Sequence, residues 1–211
     1  MLNRGRWLQL CVAELRVKTD ANQVFEMINA GYSDQRRMYC QPKIVEHRLE
    51  AYGQLLHFLP RDPQIVELAI WFKDVFYFPS EHWGRLNADL ARVLLESLGL
   101  SKTFTGRVAK LLIESQRVGQ PKSIEGRVLS DVLQRDLGEE PRDFDFSFRQ
   151  IGREFEAFGR GSGFWPNRVQ LFRKILRQKS IYYTQLFYER YEALARENLE
   201  RALRMSNRFI D

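Results

Sequence analysis

Residues 66–77 read VELAIWFKDVFY and decide the fold of this chain. Asp62 and Pro63 precede this stretch and suit a helix start, because Asp62 can cap the helix and Pro63 fits its first position. We therefore predict a helix that begins at this pair and contains Lys73 and Asp74.

The rest of the chain is also patterned at helical period. Trp7, Leu10 and Leu15 place an apolar stripe on a first helix, and Asp20 can cap a second. Further helices are predicted over residues 81–98, 102–117, 124–137, 144–158, 166–178 and 184–205. No sustained alternation at period two and no internal repeat interrupts this pattern. We predict an all-α, compact helical bundle that forms one domain over residues 1–211.

Composition limits the classes to which the protein can belong. The 211 residues are 44% hydrophobic and 28% charged, which is typical of a globular protein. Charges interrupt every apolar run well before the length of a membrane span, so we expect no association with a membrane. Cys11 and Cys40 are too few for a disulfide framework, and we expect a cytoplasmic location.

Positive charge is concentrated towards the end of the sequence. The net charge is +6, and 13 basic but only 7 acidic residues follow position 145. Interleaved glutamates and arginines after residue 188 are explained by pairing along a helix. A denser basic group contains no acid and is the candidate ligand-binding patch: Arg168, Arg173, Lys174, Arg177 and Lys179. Such a patch could bind a phosphorylated small molecule, nucleic acid or an acidic protein.

Several stretches resemble the HD superfamily of metal-dependent phosphohydrolases, and in particular its small bacterial members. Residues 66–77 are similar to the helix with the paired His-Asp motif, with Lys73 in place of the histidine and Asp74 in place of the aspartate. Residues 37–40, RMYC, resemble Arg-x-Tyr-His, and residues 130–133, SDVL, resemble Asp-Ala-Asp-Leu. Residues 151–155, IGREF, resemble Ile-Arg-x-Glu-Tyr.

This resemblance implies an HD-like helical domain whose metal ligands would lie at four positions: Cys40, Lys73, Asp74 and Asp131. Only the two aspartates are orthodox ligands for a hard divalent metal. We therefore expect a vestigial site that holds no metal and needs no cofactor. If the protein is active, the resemblance implies a divalent metal bound by Asp74 and Asp131.

Two interpretations of Lys73 stay open at this point. Its ammonium could replace the charge of the metal between Asp74 and Asp131, or its side chain could reach out to solvent. Cys40 could be an activated nucleophile, although a small buried thiol explains it equally simply. His47, His57 and His82 do not occupy the ligand positions of the family.

Three functions follow from these patterns. The leading hypothesis is a catalytically degenerate HD-domain protein, a pseudo-phosphohydrolase that binds a protein or a phosphorylated ligand. The second is an active phosphohydrolase with an altered site, and the third is a nucleic-acid-binding helical domain centred on residues 168–179. The alternation of Phe144, Phe146 and Phe148 could mark an exposed patch for a protein partner or a second copy of the chain.

Overall fold

The structure is a computed structural model that describes residues 1–58, 61–77 and 83–206. Within these ranges the chain is helical and contains no strand, which confirms the all-α prediction. The helices are α1 Arg4–Leu8, α2 Ala21–Gly31, α3 Pro42–Gly53, α4 Gln64–Phe72, α5 Trp83–Ser97, α6 Lys102–Glu114, α7 Ile124–Gln134, α8 Pro141–Ala157, α9 Phe164–Leu176 and α10 Gln185–Ser206. The helix predicted over residues 81–98 begins outside the described residues, and His82 also lies outside them.

The sequence predicts caps at Asp20 and Asp62, and the structure confirms the first but not the second. Asp20 caps α2 as predicted, since its carboxylate accepts a hydrogen bond of 2.8 Å from the backbone N–H of Asn22. Asp62 does not cap α4. Its carboxylate instead pairs with Arg107 of α6, and Pro63 takes the capping position. A cross-helix ion pair has therefore displaced a local cap.

Helix α4 ends at Phe72, so Lys73 and Asp74 lie in the turn that follows it rather than inside it. Asn87 of α5 fixes this turn. Its amide Nδ2 donates to the carbonyls of Lys73 and Phe76, and its Oδ1 accepts from the N–H of Phe76 at 2.7 Å. The prediction that the helix contains the Lys-Asp pair is therefore corrected by two residues.

Helix α4 is the centre of the core. Every residue from Ile65 to Phe72 is buried, and the helix packs against α3, α5, α6 and α7. Trp71 and Phe72 meet the ring of Trp7 edge-on, with centroids 5.5 and 6.2 Å apart. Full burial of each such large side chain contributes about 1.5–3 kcal/mol. The stretch that decides the fold is thus the element around which the other helices pack.

Helices α8, α9 and α10 cover one side of this core. Within α10, Arg196 pairs with Glu192 at 2.7 Å one turn away, as the interleaved charges predict. Gly138 permits a close approach to this helix, because a Cβ atom there would lie 2.6 Å from Cβ of Tyr191. In the described part of the chain no helix combines the length and apolar character that crossing a bilayer requires.

The three phenylalanines at the start of α8 divide between two faces. Phe144 is buried and Phe148 packs against the core, whereas the side chain of Phe146 is 57% exposed. Of the three rings expected to form an exposed patch, only that of Phe146 is therefore exposed. Phe144 and Phe148, four residues apart, share the inward face of α8.

Candidate functional site

A cavity of about 1340 Å³ lies between the end of α4 and helices α6 to α9. It is larger than an ordinary small-molecule pocket of about 300–1,000 Å³. Polar groups from the turns after α2 and α4 line one part of it, including Cys40, Lys73 and Asp74. Apolar side chains of α7, α8 and α9 line much of the rest.

The part of the cavity lined by polar groups is called the polar wall, and it contains a buried ion cluster. The carboxylate of Asp74 accepts from Nη1 of Arg48 at 2.6 Å and faces Nζ of Lys73 at 3.4 Å. Asp74 is 3% exposed, Lys73 7% and Arg48 8%. Burial alone would raise the pKa of Asp74, but the charges of Lys73 and Arg48 outweigh it and lower that pKa to about 2. Asp74 is therefore ionised and doubly compensated at neutral pH.

The side chain of Lys73 does not extend to solvent. Its Nζ lies between the carboxylate of Asp74 and the ring of Trp83, whose centroid is 5.7 Å away. An ammonium group in this position supplies positive charge directly beside the aspartate of the motif. Arg48, on α3, supplies the second cation and was missed in the sequence analysis.

The burial of Arg48 could have been predicted from the sequence. It follows Ile44 by four residues and precedes Tyr52 by four, so it lies on the buried stripe of α3. A charged residue on such a stripe requires a buried partner. The partner, Asp74, is 26 residues away and could not be identified from spacing alone.

Two further charged side chains hold the turn that presents Tyr39 and Cys40. Arg37 donates to the carbonyls of Cys40, Asp74 and Val75 at 3.2, 2.6 and 2.7 Å. Glu154 of α8 accepts from the N–H groups of Met38, Tyr39 and Cys40 at 2.7, 2.9 and 3.0 Å. Arg37 and Glu154 both belong to stretches that carry the HD resemblance, and here they bind backbone.

Cys40 lies in the cavity wall as a buried thiol. Burial first, and then the charges of Asp74 and Glu154, raise its pKa well above the ordinary value. The thiolate that a nucleophile or a metal ligand requires is therefore disfavoured. Next to it, the hydroxyl of Tyr39 donates to the carboxylate of Asp136. Asp136 lines the cavity but was not singled out in the sequence.

Asp131 lies apart from this cluster. Its Oδ1 accepts from the N–H of Tyr183 at 2.8 Å, and its Oδ2 accepts from the N–H and hydroxyl of Thr184 at 2.7 and 2.6 Å. Burial raises its pKa to about 6 despite these hydrogen bonds. Leu133, not Asp131, lines the cavity. The structure thus brings together Cys40, Lys73 and Asp74. Asp131, on α7, instead binds the turn that precedes α10.

The predicted basic patch is divided by helical periodicity. Arg168 lines the cavity, whereas four members are exposed outside it: Arg173, Lys174, Arg177 and Lys179. At 100° per residue, Arg168 faces away from Arg173 and Arg177. Its guanidinium packs over the rings of Phe155 and Phe164, with centroids 5.5 and 5.6 Å away.

The polar wall does not suit the divalent metal that the HD resemblance implies. Among residues 1–58, 61–77 and 83–206, no three His, Cys, Asp or Glu side chains are grouped so as to hold a metal ion. The carboxylate of Asp74 is already bound by Lys73 and Arg48. A metal there would have to displace two cations.

No family model, curated protein or solved structure matches this chain. The resemblance to the HD superfamily therefore rests on the sequence motifs quoted above. The geometry of the cavity is independent of that relation.

Replacement of Lys73 tests its role in the ion cluster. We expect Lys73→Ala to lower the free energy of unfolding by about 1–3 kcal/mol, because a buried carboxylate loses one of its two cations. Lys110→Ala is the matched control, since the side chain of Lys110 is 76% exposed and pairs with Glu114 at 3.8 Å. It should cost less than about 0.5 kcal/mol. Equal effects of the two variants in urea unfolding would refute the assignment.

The lowered pKa of Asp74 predicts a specific acid dependence of stability. Because its pKa in the folded protein is about 2 rather than 3.8, its ionisation stabilises the fold above pH 4, and this stabilisation is lost as the pH falls towards 2. The stabilisation lost amounts to about 2 kcal/mol. The stability difference between the wild type and Asp74→Asn should therefore narrow between about pH 4 and pH 2.

The measurement is urea unfolding of both proteins across this range. Asp89→Asn is the control, because Asp89 is exposed and pairs only loosely with Arg92 at 3.4 Å. A difference between wild type and Asp74→Asn that stays constant with pH would show that Asp74 is not held in its ionised form by Lys73 and Arg48.

Proposed function

We propose that this chain binds a phosphorylated small molecule in the central cavity, on an HD-like scaffold that no longer hydrolyses it. The observation that carries the proposal is Arg168. Among the described residues its guanidinium makes no ion pair and no hydrogen bond, and it packs only on aromatic rings. A half-buried guanidinium with free donors suits a phosphate, which it can bind with two parallel hydrogen bonds.

The charge balance of the polar wall supports an anionic ligand. The residues that line the cavity include seven arginines and lysines but only three carboxylates, those of Asp74, Glu114 and Asp136. The donors of Arg37 are largely taken up by backbone carbonyls, and Arg48 and Lys73 are paired with Asp74. Burial lowers the pKa of Arg168, because the nearby groups that favour its charged form, Glu154 among them, offset only part of the loss of hydration. Arg168 is therefore the half-buried lining cation that has no ion pair among the described residues.

The same cluster supports binding without hydrolysis. Metal-dependent hydrolysis requires an open metal position at which water is acidified. In this cavity the carboxylate of the motif is bound by two side-chain cations, and the thiol of Cys40 is disfavoured as a thiolate. A location in a reducing compartment, which buried free thiols at Cys11 and Cys40 suit, belongs to the same proposal.

The test is calorimetric titration of the protein with inorganic phosphate and phenyl phosphate. We expect Arg168→Ala to weaken binding roughly 10- to 100-fold, because it removes charge-assisted hydrogen bonds. Arg173→Ala is the matched control on the same helix, and we expect it to leave Kd within about twofold, since Arg173 is exposed outside the cavity. Equal losses in both variants, or no binding by the wild type, would rule out this site.

The alternative, an active hydrolase with an altered site, is tested by a phosphatase assay. Release of p-nitrophenol from p-nitrophenyl phosphate in the presence of Mn²⁺, abolished by Asp74→Ala, would replace the binding proposal with a catalytic one. Asp131→Ala would not separate the two, because Asp131 holds the turn at Thr184.

The exposed members of the basic patch favour nucleic acid as the second candidate. Arg173 and Lys174 lie on the outer face of α9 and Arg177 directly follows this helix, and none of the three is paired with an acid in the described part of the chain. Binding to DNA or RNA that falls steeply with salt, is lost in their combined alanine variant and is unchanged in Arg168→Ala would support this candidate.

A further inference from the structure

We infer that the ligand is a single-chain amphiphile, with its anionic head at Arg168 and its alkyl chain along the apolar wall formed by α8 and α9. This inference rests on the proposed function, since it assumes that Arg168 receives the anionic group. It adds the chemical class of the remainder of the ligand.

The apolar wall begins where Arg168 lies. Phe155 is in contact with this guanidinium, and from there the inward face of α8 carries Ile151, Phe148 and Phe144 in successive turns. At 1.5 Å per residue, the distance from Phe155 to Phe144 along α8 is about 16 Å. The cation therefore lies at one end of an extended apolar strip.

Helix α9 supplies a second strip of the same polarity. Arg168, Leu171, Phe172 and Ile175 follow one another at spacings of three, one and three residues, so that they share one face, and all line the cavity. Phe172 and Ile175 are each 4% exposed and belong to the hydrophobic core. The rings of Phe148 and Phe172, whose centroids are 5.4 Å apart, join the two strips.

Apart from Arg168, the side chains that form the two apolar strips offer a nucleobase no hydrogen-bond donor or acceptor. Recognition of a base edge requires free donors and acceptors placed opposite it. Elsewhere in the lining, Gln134 and Gln178 each have one end of the amide engaged, since Nε2 of Gln134 donates to Ser130 at 2.7 Å and Oε1 of Gln178 accepts from Tyr183 at 2.7 Å. Phe144 and Phe148 are stacked on each other at 6.0 Å, and Phe148 also contacts Phe164. An alkyl chain needs only apolar surface and no directional partner.

The experiment measures Kd for butyl, hexyl and octyl phosphate below their aggregation concentrations, with adenosine monophosphate for comparison. We expect Kd to fall roughly fourfold for each added methylene group that the wall can cover. Arg168→Ala should raise Kd for all three alkyl phosphates by one common factor and leave the dependence on chain length intact.

Two variants address the apolar wall directly. Ile151 and Leu171 are half-buried lining residues, so Ile151→Gln and Leu171→Gln should reduce the dependence on chain length while the protein still folds. Val93→Gln is the control, because Val93 lies on α5 outside the cavity and is 61% exposed. It should leave every Kd unchanged.

The failures of the two proposals are distinguishable. If the phosphates bind through Arg168 but Kd is independent of chain length, or if adenosine monophosphate binds more tightly than octyl phosphate, the amphiphile is refuted and the anion site stands. If no phosphate binds, the proposed function fails first. Octyl phosphate offered in phosphatidylcholine vesicles separates the sources: its transfer to the protein indicates a membrane-derived ligand, and binding of the free form alone indicates a dissolved one.

Discussion

The contact on which the site depends is the buried carboxylate of Asp74 between the cations of Arg48 and Lys73. A carboxylate that is 3% exposed is costly unless it is compensated. Here the compensation comes from Arg48 on α3 and from Lys73 in the turn directly after α4. Removing either cation would leave part of a buried charge unpaired. The contact therefore links the end of the central helix to its neighbour.

This cluster also influences what the cavity can bind. Because Asp74 is fully occupied, it offers little attraction to a metal, and because its cations are occupied in turn, they offer little to an anion. Arg168 is different, since it reaches the cavity from α9 with its hydrogen-bonding groups unused among the described residues. The polar wall thus favours an anion at one position, and the apolar wall favours the kind of molecule attached to it.

Local and periodic features could be predicted from the sequence, and long-range partners could not. The apolar stripes predicted the helices, and Asp20 predicted the start of α2. Lys73 and Asp74 were singled out through the resemblance to the paired His-Asp motif, and the sequence analysis placed them inside the helix rather than after it. Asp62 shows the limit, since a distant arginine took the carboxylate that local chemistry assigned to a cap.

The residues that complete the site illustrate the same limit. Glu154 is more than 110 positions away from the three N–H groups that it binds, and Asp136 is 97 positions away from Tyr39. Asp131 looked like a member of the site, but it is held by Thr184, which no spacing rule connects with it. Helical periodicity alone would have separated Arg168 from Arg173 and Arg177, had it been applied to the basic patch as it was to the apolar stripes.

The most direct test of the central claim is anomalous diffraction from crystals of the protein grown with excess manganese. We predict that Nζ of Lys73 stays beside the carboxylate of Asp74, with Arg48 on its other side, and that no anomalous peak appears on Asp74. A manganese ion bound to Asp74, with the side chain of Lys73 displaced, would contradict the claim that these two cations compensate the buried carboxylate.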